Sequence, residues 1–236
     1  MTKEEGTPTT GPIEGMFSVF IDPVTTAKAA TAPGFWVWPI ILVSIGFLVL
    51  GYVTLPTTLR VMEQGPPQGK MTPEQYQSAL PMIETVAKVI TYAIPVFIIG
   101  FTALGAWLTQ VMCMMLGAKA KFKELFSFMA ACSLISLLGG IAGYIVVRAK
   151  GDEIQTQQQM TPAFGLDIFL HDGLGAAPLA ILNFFSIFEV WYLIVLTVGV
   201  AFLAKTSKGK AFLAITPAWF VPLLFKILGA LQQAKQ

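Results

Sequence analysis

The sequence predicts an all-α polytopic membrane protein: a bundle of five transmembrane helices preceded by a short N-terminal interfacial helix. Three observations predict it. Of the 236 residues 55% are hydrophobic and only 12% charged, about half the charge of an ordinary soluble domain. Mean hydropathy is +0.71, so a water-facing surface built from this chain would expose large apolar patches. The apolar residues also fall into five blocks near the ~20 residues an α-helix needs to cross about 30 Å of hydrocarbon.

The blocks run over 35–55, 89–116, 125–147, 179–203 and 212–230. They are continuously apolar and do not alternate as barrel strands would, and in hydrocarbon a helix satisfies its own backbone. The chain therefore divides into an N-terminal segment 1–34, a transmembrane domain 35–231 and a tail 232–236. The second block is the longest and is expected to protrude or bend at Pro95. The first 34 residues lack the basic start and apolar core of a secretory signal, so the first span is expected to direct insertion and stay in the mature chain.

Local signals mark the helix starts outside the spans. Asp22-Pro23 pairs an N-cap acceptor with a proline suited to the first helical position. Met16, Phe17, Val19, Phe20 and Ile21 beside it suit a segment lying in the interface, and Trp36 and Trp38 suit headgroup level. Thr72-Pro73-Glu74-Gln75 has the spacing of a capping box, so the 57–88 stretch is expected to hold a helix leading into the second span. Residues 148–178 are polar through 155–159 and apolar around 163–170, which predicts a return to the membrane surface.

Orientation follows from the short basic loops. Lys119, Lys121 and Lys123 lie in one, and Lys205, Lys208 and Lys210 in another; five spans put both on the same side, which the positive-inside rule makes cytoplasmic. The N-terminus then lies inside and the C-terminus outside. Glu63, Glu74, Glu84, Asp152, Glu153, Asp167 and Asp172 fall on the opposite side, with Arg148 and Lys150 as a weaker contrary signal. A net charge of +2 without a long basic run gives no reason to expect nucleic acid.

Chemistry is sparse. The single histidine, His171, is too few for histidine-based metal sites or Ser-His and Cys-His pairs, and reads as a solvated loop residue. Cys113 and Cys132 sit in apolar segments without metal spacing and read as core-filling side chains. No metal or cofactor is expected. Gly139 and Gly143 have the spacing of close helix contact, inside the monomer or across a homo-oligomer face.

Glu189 falls within a span, where a carboxylate costs several kcal/mol unless paired, protonated or facing water. Asn183 and Ser186, three and six residues earlier, share its face on a continuous helix and make a polar seam. Such a seam either glues helices together or carries ions or substrate. Lys226 in the fifth span is expected at similar depth, as an ion-pair partner of Glu189 or snorkelling outward.

The entry Phe17-Ser18-Val19-Phe20-Ile21-Asp22-Pro23, followed by Trp38-Pro39, resembles the Yip family, named for Ypt/Rab-interacting proteins. Lys121-Phe122-Lys123-Glu124-Leu125-Phe126-Ser127 and Phe185-Ser186-Ile187-Phe188-Glu189-Val190-Trp191, running on to Gly199 and the 205–210 turn, extend the likeness over most of the chain. The resemblance implies a cytoplasmic N-terminus, five helices and no catalysis. The Asp-Leu-Tyr-Gly-Pro signature of Rab-associated eukaryotic members is missing, so a GTPase partner does not carry over. The closer likeness is to bacterial members, which implies the inner membrane and a role as accessory to a transport system, of ABC type for instance. Expected contacts are the bilayer, other membrane proteins and a second copy. A non-enzymatic scaffold is the favoured reading, and a transporter or ion-conducting subunit using the Glu189 seam is the alternative.

Overall fold

The computed structural model describes residues 11–64, 72–151, 154, 160, 164–165 and 176–234. Its elements are α1 (Pro12–Phe17), a 3-10 turn (Ser18–Phe20), α2 (Pro23–Ala29), α3 (Val37–Gln64), α4 (Pro73–Met115), α5 (Phe122–Lys150), α6 (Ala176–Phe184), α7 (Ile187–Leu203) and α8 (Lys208–Ala234). No strand occurs among them. His171, the polar run 155–159, most of 163–170 and the acids Asp152, Glu153, Asp167 and Asp172 lie outside the described residues.

Four helices, α3, α4, α5 and α8, are long and apolar enough to cross a membrane, and α7 is a shorter apolar helix of 17 residues. The protein is an all-α polytopic membrane protein. The helix starts use the caps that the sequence offers. Asp22 accepts from the amides of Val24 and Thr25 at 3.1 and 3.2 Å, and Pro23 sits where its missing N–H costs nothing. Thr72 and Gln75 form the reciprocal capping box, with Gln75 Oε1 accepting from the Thr72 amide at 3.0 Å.

That box opens a helix of 43 residues, about 65 Å long at 1.5 Å per residue and therefore about twice the hydrocarbon thickness. The leading helix and the second span are one element that passes through Pro81 and Pro95 without a break. α3 likewise continues beyond its apolar block to Gln64. The two extensions lie together, Tyr76 donating its hydroxyl to the Met62 carbonyl at 2.6 Å.

α5 is central, packing on α3, α4 and α7, while α8 packs on α4, α6 and α7. In the apolar window of α5 39% of residues are buried, against 6% for α4, so α5 is the core helix and α4 the peripheral one. Leu125, Phe128, Ala131, Cys132 and Ile135 of α5 are fully enclosed in one core with Val200 of α7 and Ile215 of α8. Gly199 makes this approach possible, because a Cβ there would overlap the Phe128 ring. Cys113 and Cys132 are free, buried core residues.

The entry segment docks on the protein as well as facing outward. Met16 and Val19 are buried in the main core and Phe20 packs on Trp191 with ring centroids 5.7 Å apart, whereas Ile13, Phe17 and Ile21 stay exposed. The five apolar residues around the turn thus split between two surfaces; only part of this segment is available to an interface.

Candidate functional site

The fourth apolar block is not a continuous helix. α6 ends at Phe184, Phe185 bends, and Ser186 takes an extended conformation (φ −71°, ψ 160°) as N-cap of α7. Its hydroxyl accepts from the Glu189 amide at 3.2 Å, a first-turn donor that otherwise lacks an intrahelical partner. The Ile187 amide reaches the Phe164 carbonyl at 3.0 Å. A break at membrane depth survives only where its freed backbone groups find partners inside the protein, and Phe164 supplies one from a distant part of the chain. The expected helical seam of Asn183, Ser186 and Glu189 is therefore a helix end, a cap and a first-turn residue.

The break still gathers the polar side chains. Asn183, Ser186, Glu189 and Lys226 line one cavity of about 190 Å³, joined by Ser136 and Gly139 of α5. A second cavity, about 290 Å³, is lined by Ser133, Tyr192 and Trp219 and shares Ser136 and Glu189 with the first. Glu189 and Ser136 line both spaces.

Of the two expectations for Lys226, an ion pair with Glu189 or an outward reach, the ion pair does not form. The indole Nε1 of Trp219 donates to Glu189 Oε1 at 2.6 Å, and among the described residues no Glu189–Lys226 ion pair forms. Lys226 donates to Asn183 Oδ1 at 3.5 Å and lies 5.5 Å from the Phe184 ring centroid. Trp219 is itself wedged among Phe184, Phe185 and Phe220, with centroids 5.1 to 5.4 Å away. A neutral indole satisfies the carboxyl inside this aromatic cluster without burying a second charge there.

Trp219 and Ser136 were not singled out by the sequence reasoning. For Trp219 a signal existed: Trp219, Leu223 and Lys226 recur at i, i+4 and i+7 and so share one helical stripe, which puts the indole on the face that carries Lys226. Ser136 offered none, since serine is ordinary in membrane helices.

Gly139 packs inside the chain: a Cβ there would stand 3.0 Å from Cγ of Phe188. Gly143 lines a separate cavity with Gly139, Gly140 and Phe164.

The six loop lysines, Lys119, Lys121, Lys123, Lys205, Lys208 and Lys210, are all exposed at one end of the bundle. Lys210 Nζ donates to the Leu116 carbonyl at 3.3 Å and ties the two loops together. Lys121 pairs with Glu124 at 2.8 Å, and Lys205 turns the chain between α7 and α8 with φ +48°. No cluster of three metal-ligating side chains occurs among the described residues.

A multi-pass helical membrane protein with a lysine-rich end and a polar cavity at a broken helix is the class these features define. Residues 17–229 match the Yip1 domain, and the chain belongs to the Yip family. No individual curated protein and no solved structure gives a match.

Proposed function

We infer that this Yip-family protein is a non-enzymatic membrane scaffold or accessory protein that binds other membrane proteins, a transport system of ABC type among them, from its lysine-rich end. The observation that carries this reading is the six exposed lysines held on the most tightly packed part of the bundle. A rigid platform presents charge in a fixed pattern, and preorganised charge gives a partner specificity and a fast encounter. In this reading positive-inside bias puts this end, with the N-terminal segment docked beside it, on the cytoplasmic side of a bacterial inner membrane.

The test is affinity purification after cross-linking in the native membrane, comparing wild type with a variant in which all six lysines become glutamine. The scaffold reading expects loss of the cross-linked partner at unchanged thermal stability. Identical partners in the two samples would discard the lysines as a binding surface. Cysteines at Ser207 and Gln77, in a background without Cys113 and Cys132, should label from opposite faces with an impermeant thiol reagent. Labelling of both from one face would overturn the orientation.

The two cavities that Glu189 and Ser136 both line favour a second reading, a proton- or solute-conducting subunit. Flux into liposomes by wild type, abolished by Glu189→Gln with the fold intact, would replace the scaffold with the conduit. Absence of flux in both proteins would remove the conduit.

A further inference from the structure

We propose that the cavity beside Glu189 and Trp219 binds a lipophilic ammonium ion, its charged head against the Glu189 carboxylate and its apolar tail in the neighbouring cavity between α3, α4 and α5. This site is the one the conduit reading uses, and that reading gains a ligand class from it; binding itself requires no flux.

The head site has a volume of about 290 Å³, close to the ~300 Å³ at which small-ligand sites begin. Glu189 is the single carboxylate among its described lining residues, and no lysine or arginine is among them. Lys226 lines the cavity of about 190 Å³ instead, so a cation in the larger space displaces no ammonium. Trp219 Nε1 takes one position at Glu189 Oε1, and a carboxylate offers about four. The rest of the wall suits an ammonium that has shed its water. Phe101, Tyr192 and Trp219 contribute aromatic rings, which attract cations over their faces. Ser133 spends its proton on the Met129 carbonyl at 3.1 Å, which leaves its oxygen as an acceptor.

The tail site is a cavity of about 290 Å³ lined by Val43 and Phe47 of α3 and by Ile94, Phe97 and Ile98 of α4. Phe101, Thr102, Ser133 and Ser136 line both cavities, so the two spaces lie side by side with a wall in common. One carries a carboxylate and hydroxyls; the other has no charged residue among its described lining. A hydrated inorganic cation would leave the apolar half unused, and a neutral alkyl chain would make no use of the carboxylate. An ammonium bearing an alkyl tail matches both.

Depth favours the lipophilic class. Glu189 stands about 21 Å along α7 from Leu203, and Ser136 about 21 Å along α5 from Phe122, at 1.5 Å per residue. Both therefore lie within the ~30 Å of hydrocarbon that begins near the loop lysines. A site at this depth beside a discontinuous helix is a recurrent arrangement for binding within membranes. Phe97 and Phe101, on peripheral α4, are about half exposed, so a ligand dissolved in the bilayer approaches from that side.

Full-length protein in a neutral detergent is melted with hexyltrimethylammonium, with tetramethylammonium as the head alone and with hexanol as the tail alone. At about a hundredfold excess over its dissociation constant the first should raise the melting temperature by roughly 5 °C, and the other two by much less at the same concentration. Glu189→Gln keeps an acceptor for Trp219 and loses the charge; Ser136→Leu fills the shared wall and keeps the charge. Each should lose most of the shift, and if one fails to fold the other decides. Glu74→Gln, at an exposed acid that begins α4, should keep the shift. No shift, an equal shift with tetramethylammonium or hexanol, a shift unchanged in a folded cavity variant, or one lost in Glu74→Gln overturns the proposal. Uptake of the same probe into liposomes separates the site from the conduit. A shift without uptake keeps the site and removes the conduit for this ligand, whereas proton flux that Glu189→Gln abolishes, without any shift, keeps the conduit and overturns the ligand class.

Discussion

At the lysine-bearing end Leu125, Phe128, Val200 and Ile215 are wholly enclosed, whereas toward the other end the same helices part around cavities of about 190 and 580 Å³. Side-chain size accounts for much of the contrast. Gly199 lets α5 and α7 approach closely at the first end, where Ala131, Ala211 and Ala214 are buried in one core, and close approach without a hydrophobic driving force is how helices associate in lipid. At the second end Pro56 interrupts the hydrogen-bond ladder of α3, the α6–α7 break opens the fourth crossing, and hydroxyls and charges replace alanines. The closed end supports rigid charge display, and the open end supplies the space that binding or conduction requires.

The largest expected effect falls on the closed end. Phe128→Ala should destabilise by about 3–5 kcal/mol, as a fully buried aromatic does, while Tyr144→Ala beside the 580 Å³ cavity should cost under about 1 kcal/mol. Thermal melts in detergent measure both, and equal losses would dissolve the distinction between the ends.

Next in size is overpacking. Gly199→Ala drives a methyl into the enclosed Phe128 ring and should cost about 1–3 kcal/mol. Gly100→Ala on peripheral α4, where a Cβ meets nothing within 4 Å, should be neutral or stabilising by up to about 1 kcal/mol through helix propensity. A loss at Gly100 as large as at Gly199 would place an unseen partner on α4.

A comparable loss is expected at the helix break. Trp219→Phe leaves the Glu189 acceptor without its indole donor and should cost about 1–3 kcal/mol. The double variant Trp219→Phe, Glu189→Leu should recover part of that loss, because both polar partners are then gone. If the two changes simply add, the 2.6 Å contact contributes nothing to stability.

The smallest effect concerns the docked entry segment. Asp22→Ala should loosen α2 by about 1 kcal/mol, the usual value of an N-cap. Hydrogen bonds from the Thr25 hydroxyl first, then from the Thr25 and Val24 amides, hold the Asp22 carboxyl below its ordinary range. A depressed folded value means that the contribution is complete above the ordinary carboxylate range and is lost as pH falls through the folded value. Proteolysis of the N-terminal segment should therefore rise in acid for wild type and stay flat with pH for Asp22→Asn. Parallel pH profiles would exclude the carboxylate as the cap.

Much of this protein is written in short-range terms. Membrane class and helix content follow from hydropathy, and the starts at Pro23 and Pro73 follow from the adjacent cap residues, because a cap needs only the next three amides. The Yip family is legible in short motifs spread along the chain. The break at Ser186 is different: its serine reads equally as a polar residue on a helix face, and the extended conformation depends on the Phe164 carbonyl, 23 residues away along the chain. The partner of Glu189 was undecidable in the same way. Depth along two helices admits Lys226, but helix rotation and the aromatic cluster around Trp219 decide which donor arrives. The cavity that Arg60 and Arg148 both line is also tertiary, since it lies between α3 and α5, which pack side by side. Sequence alone determined that this is a helical membrane protein, because in hydrocarbon each helix satisfies its own backbone; the packing of one helix against another decided where the fourth apolar block breaks and which polar groups share a cavity.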